Sequence, residues 1–234
     1  MASSAPPTSP VIPPTAQELA VKNALSHPRI STYEAATTAL PPVRGALELY
    51  DWNAQVSAAF LAPLHLCEVV IRNAVADAIA AVYGPLWPWH AGFTAWLPDS
   101  GKWKMKSHLQ NLASSMPAAT TTTGKLIPEV NFIFWEKMFT ARFDGHLWMN
   151  HLRTVMPNLH PAWTVQQARA KINQDLFKIR SLRNRIAHHE PIFSRNLADE
   201  LTTIKELIRF RCAHTAVWMD ARQQVSAVLK NRPV

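Results

Sequence analysis

Apolar residues recur at steps of three and four along most of this 234-residue chain. No stretch combines two-residue alternation with hairpin turns, so the pattern predicts an all-α protein. Helical spacing is expected over 17–25 and over 31–40, the second with Ser31 as N-cap and Glu34 completing a capping box. After Pro41 and Pro42 it runs almost unbroken over 43–83, with Pro63 as a kink or break. A helix over 101–115 is expected after Asp99 or Ser100 as N-cap, and Pro128 should open another over 129–140 with a dense apolar surface. Further helices are expected over 143–155, from Val165 to about His189, from an Asn196 or Ser194 cap to about His214, and over 215–229. Residues 84–100, rich in Trp and Pro, and 116–126, ending at Gly124, read as loops. Residues 1–16 are uncharged and rich in Pro, Ser, Ala and Thr, which predicts a flexible arm without the features of a signal peptide. Residues 17–234 form a single helical domain on this pattern.

The most informative helix carries Val165, Ala168, Ile172, Leu176, Ile179, Leu182 and Ile186 on one face. Pro191 cannot continue it and biases Glu190 away from helical geometry. Three arginines, an asparagine, two histidines and a glutamate therefore crowd its C-terminal end. Arg180, Asn184 and His188 are four apart and share one stripe. Arg183 lies roughly 140° from His188 on a wheel of about 100° per residue. The two are poorly placed to grip one atom within a single chain unless the last turn distorts or the long Arg183 reaches round. A second copy across a two-fold axis would bring the stripes together in a composite site.

Those residue types suit metal-free cleavage of an RNA phosphodiester. A histidine moves protons near neutral pH, an arginine stabilises charge on the phosphorane, and an amide orients either partner while the ribose 2′-hydroxyl attacks. Spacing alone is weak support, because a histidine at a helix end is more often structural or idle.

The string Arg183-Asn184-Arg185-Ile186-Ala187-His188 matches the Arg-(Asn/Asp/His)-xxx-His signature of the HEPN superfamily of nucleotide-binding helical domains. The longer stretch LRNRIAHHEPIF, 182–193, resembles the version found in Abi-like proteins of bacterial abortive infection. So do LYDWN at 49–53, EVVIRNA at 68–74 and YGPLW at 83–87. The resemblance spans roughly residues 28 to 215. It implies a HEPN-type helical bundle, a homodimer with a composite active site, and a metal-independent endoribonuclease, often a toxin or an anti-phage effector, with an antitoxin protein as a further partner. Arg183, Asn184 and His188 are the catalytic set it implies, with no cofactor. Many members of the superfamily bind nucleotides or RNA without cutting, so a non-catalytic module binding RNA, a nucleotide or a partner protein is the alternative.

Net charge of +8 and a pI near 9.8 favour an anionic partner such as RNA. Apolar residues make up 48% of the chain and charged ones 17%, which suggests a large buried fraction or an apolar interface. Arg180, Arg185, Lys102, Lys104 and Lys106 are the candidate RNA-binding cations, although a solvated lysine face explains the last three equally well. His189, Glu190, Glu68, Arg72 and Asn73 are accessory candidates. Glu68 and Arg72 are four apart and either pair as a helix salt bridge or orient Arg183 or His188. Large aromatics at 87–96 are expected to pack rather than to stack on bases. Residues 56–82 are apolar, but Glu68, Arg72 and Asp77 interrupt them, so a buried helix is expected rather than a membrane span. Cys67 and Cys212 sit in apolar patterns and are read as buried thiols in a reducing cytoplasm. No metal-ligand spacing is present; His146 and His151 are five apart, the wrong step for a helical pair.

Overall fold

The computed structural model describes residues 13–233, so most of the expected arm, residues 1–12, lies outside the described residues. The described residues form an all-α fold with no strand: α1 (Ala16–Leu25), α2 (His27–Glu34), α3 (Pro42–Tyr83), α4 (Ala91–Trp96), α5 (Met105–Ser115), α6 (Thr123–Leu126), α7 (Phe132–Met138), α8 (Met149–Val155), α9 (Val165–Ala187), α10 (Leu197–Arg211), α11 (Ala213–Asp220) and α12 (Val225–Lys230).

Helix α3 is the spine, 42 residues long or about 63 Å at the helical rise. It packs against α1, α2, α7, α8, α9, α10 and α12. Pro63 does not break it. A proline in a helix interior costs about 3 kcal/mol. The buried face crosses that point through Val56, Phe60, Leu64, Cys67 and Ile71, all 5% exposed or less. At about 1.5–3 kcal/mol for each large apolar side chain taken out of water, that packing exceeds the local loss. By length and composition α3 is the one described helix able to cross a membrane, yet a third of its most apolar window is buried in protein.

Several element boundaries differ from the sequence pattern for local reasons. Helix α2 starts four residues earlier than expected because Pro28, with its fixed φ, suits a first turn. Ser31 is therefore inside the helix, and its hydroxyl donates to the Pro28 carbonyl at 3.1 Å. A reciprocal capping box forms instead between Thr15, in what was expected to be the arm, and Glu18 of α1. Helix α5 begins at Met105, not Gly101. The Asp99 carboxylate reaches across the intervening turn to accept from the Ser107 backbone N–H at 3.0 Å, capping the helix from outside it. Pro128 sits in a short 3-10 turn, and Asn131 caps α7 through the Phe134 N–H. The expected helices over 143–155 and 215–229 are each divided, the first by a π turn at Asp144–Trp148 and the second between α11 and α12. The Trp- and Pro-rich segment contains a 3-10 turn at Trp87–Trp89 and α4, and Gly124 lies inside α6.

Helix α9 matches its pattern closely. Thr164 and Gln167 form a capping box at its start. Ala168, Ile172, Leu176, Ile179, Leu182 and Ile186 are buried along it. Its end is a Schellman closure: the His189 N–H donates to the Ile186 carbonyl at 3.0 Å and the Glu190 N–H to the Arg185 carbonyl at 2.8 Å. The left-handed position of that motif, normally glycine, is His189 at φ 55°. A Cβ in this region costs about 1 kcal/mol or more. His189→Gly is therefore expected to raise stability by roughly 0.5–1 kcal/mol, checked by chemical denaturation. A fall in stability would mean that the imidazole itself holds the turn.

Candidate functional site

The polar end of α9 is fixed from three directions. Arg29 of α2 donates through Nη1 to the His189 carbonyl at 2.7 Å. Arg185 donates through Nε and Nη2 to the Pro191 carbonyl, at 3.0 and 2.7 Å, and pairs with Glu190 at 3.2 Å. The buried Asn53 of α3 accepts from the Ile192 and Phe193 N–H groups at 2.8 and 3.2 Å. Ile192 and Phe193 enter the core. The 49–53 block thus has a mechanical task, since it ties the exit of the signature helix to the spine. Arg185 and Glu190 belong to this clamp. Tyr33 also packs here, against Tyr50 and Phe193. Its buried hydroxyl finds no hydrogen-bond partner, and burial, followed by neighbouring Tyr50, pushes its pKa up to about 12.

Arg183 faces outward from α9. Its side chain makes no hydrogen bond or ion pair with any described residue. It borders two hollows, one of about 240 Å³ with Leu61, His65 and Glu68 of α3, the other of about 290 Å³ with Glu68, Trp103, Asn131, Arg180 and Asn184. A third hollow of about 380 Å³ adjoins the first through Leu61, Ile186 and Ala187 and contains Tyr33, Tyr50 and His189. A fourth of about 330 Å³ adjoins the second through Trp103, Asn131 and Ile133 and is lined by Lys102, Lys104 and His108. Through these shared residues the four hollows form a row, the groove, which follows α3 and α9 and ends against α5 and the start of α7, with Arg183 bordering its two inner hollows.

The sequence candidates divide into those on the groove and those beside it. Arg183, Asn184, Glu68, His189, Lys102 and Lys104 line it. Arg180 lines it too, but its Nε is bonded to the buried Glu136 carboxylate. His188 is exposed at the C-cap and lines none of these four hollows. His188 thus borders neither of the two hollows that Arg183 lines. Lys106 is partly buried on α5, and Asn73 is exposed on α3 beyond the groove. Glu68 and Arg72 form no salt bridge; Arg72 Nε is instead buried without a partner. Among the described residues no group of three or more His, Cys, Asp or Glu is placed to hold a metal ion. Cys67 is buried and its pKa is pushed up to about 12 by desolvation, whereas Cys212 is only partly covered.

Two groove residues escape the sequence pattern. His65 is one turn before Glu68 on α3, a step that puts both on one face, yet nothing in the flanking sequence ties it to α9. Trp103 follows the aromatic-rich segment but, unlike Trp87 and Phe93, is not packed into the core. Most large aromatics do pack: Trp87, Trp135, Trp148, Phe134 and Phe139 are all 1% exposed or less. Burial lowers the pKa of His108, whose Nε2 accepts from the Asn131 N–H. Comparison with protein families, with curated proteins and with solved structures finds no match to this chain.

Proposed function

We propose that this protein is a metal-independent endoribonuclease of the HEPN type, acting as a homodimer. The observation that carries the reading is Arg183, exposed and without a partner among the described residues, lining one hollow with Glu68 and Asn184 near the end of a clamped helix. A fixed arginine fork in a groove suits a phosphodiester, and its charge can stabilise the pentacovalent transition state. His188 would act as general acid or base, and Asn184 would orient substrate or histidine. The separation of Arg183 and His188 on the helical wheel, with His188 outside the hollows that Arg183 borders, supports a site completed by a second copy. An exposed run of Ala54, Ala58, Leu61 and Ala62 on α3, beside the exposed Ala187, supplies an apolar surface on which two copies can approach.

The place of His188 outside those hollows favours one other reading, a module that binds RNA, a nucleotide or a partner protein in the groove and performs no chemistry. Incubation of the purified protein with single-stranded RNA in excess EDTA separates the two. The nuclease is expected to leave 2′,3′-cyclic phosphate and 5′-hydroxyl ends. Bound but intact RNA under all conditions would replace the nuclease by the binding module. A role as a toxin or anti-phage effector held by an antitoxin in the cytoplasm belongs to the same proposal, and growth arrest on expression is its cellular test.

A further inference from the structure

Trp103 stands where two hollows of the groove meet. On one side it shares a wall with Arg183, Asn184 and Glu68; on the other with Lys102, Lys104 and His108. Trp103 is 40% exposed, and it belongs to the turn over 100–104 rather than to a helix. Other exposed tryptophans already have a partner for the ring: Trp96 lies against His146 with centroids 3.6 Å apart, and Arg222 lies over Trp218 at 4.8 Å. Among the described residues Trp103 has only the Lys102 ammonium, 5.2 Å from its centroid and on a flexible stem. Lys102, Lys104 and Arg183 form no ion pair with any described residue. Against them the groove sets Glu68 and Glu129, while Asp99 nearby is engaged by Ser107.

We propose that Trp103 is a base-stacking platform for single-stranded RNA, on a track that leads from Arg183 to the Lys102–Lys104 turn. The inference rests on the RNA reading above and adds to it the strand type and the path. A phosphate-binding arginine followed by an aromatic face and then by unpaired lysines is the alternation a flexible strand needs: backbone, base, backbone. An indole in such a position reaches an unstacked base and cannot reach one inside a duplex.

The test uses the full chain and a 2′-O-methyl oligonucleotide, which cannot be cleaved through its 2′ position, with affinity read by fluorescence anisotropy. Trp103→Ala is expected to weaken binding about tenfold, within the range that loss of one base–aromatic stack gives. It should leave the slope of log affinity against log salt unchanged, since the indole carries no charge. Trp103→Phe should keep affinity within about threefold, because it preserves a stacking face. Lys104→Ala should reduce the salt slope by about 0.7, the value for one phosphate contact on a single strand. Equal binding by wild type and Trp103→Ala overturns the platform and leaves the RNA reading intact. A wild type that binds no oligonucleotide overturns both. Loss of binding in Trp103→Ala accompanied by a fall from dimer to monomer in light scattering also overturns the platform, because the ring would then belong to an interface between copies.

Discussion

Replacing His188 by alanine is expected to reduce RNA cleavage by roughly 10²–10⁴-fold, the usual contribution of a positioned general acid or base. The exposed place of His188 at the C-cap of α9 makes the substitution structurally mild. Its backbone N–H, bonded to the Asn184 carbonyl, closes the helix regardless of the side chain. Circular dichroism and thermal unfolding should therefore match wild type while cleavage is lost. Full cleavage by the variant would remove His188 from the mechanism and direct attention to His65, the histidine that shares a hollow with Arg183 in the same chain.

The pairing of the two motif residues is open to a sharper version of the same experiment. If Arg183 and His188 of one site come from different copies, mixing Arg183→Ala with His188→Ala protein regenerates one complete site in every mixed dimer. Random exchange makes half of the dimers mixed, so about a quarter of wild-type activity should return. No recovery after refolding the two together would mean that each chain uses its own pair.

Much of this site was legible in the sequence because α9 is governed by local rules. Its apolar period, its Thr164 cap and Pro191 beyond its end determine which face is buried, so the exposure of Arg183 and the place of His188 at the helix end could be read from the sequence. What was not legible depends on contacts distant in the chain. Arg180 and Arg185 look like free cations on the same helix, but Glu136 and the Pro191 carbonyl engage them. The Glu68–Arg72 spacing suits a helix salt bridge, yet Glu68 turns to the groove and Arg72 Nε is buried. Trp103 reaches the groove only because Asp99 caps α5 from outside and leaves 100–104 as a turn, a choice that helix propensity does not encode. Pro63 shows the same limit in reverse, since a local helix breaker yields to tertiary packing on both sides of it.

Glu136→Gln is expected to cost about 2–3 kcal/mol of stability, and its effect on RNA binding should differ in sign from a simple loss of fold. The carboxylate is 1% exposed, bonded to Arg180 Nε and 3.0 Å from Lys137 Nζ, while Asn173 donates to the Glu136 backbone carbonyl. Glutamine keeps the shape but removes the charge that compensates a largely buried guanidinium. Breaking a fully buried pair costs about 3–5 kcal/mol. Arg180 and Lys137 retain 18% and 33% side-chain exposure, so water relieves part of that. At about 2–4 °C per kcal/mol for a chain of this size, Tm should fall by roughly 4–12 °C. Arg180 lines the hollow that holds Arg183, so losing its counter-charge should strengthen RNA binding at low salt or leave it unchanged even as Tm falls. Arg180→Ala should lower Tm similarly, and it should weaken RNA binding only if the guanidinium also touches the strand. Replacing both residues by methionine is expected to recover most of the lost stability, because an apolar pair of similar volume avoids the desolvation of two charges. An unchanged Tm in Glu136→Gln would mean that the Arg180 pair contributes nothing to holding α9 against α7, and Arg180 would return to the set of free groove cations.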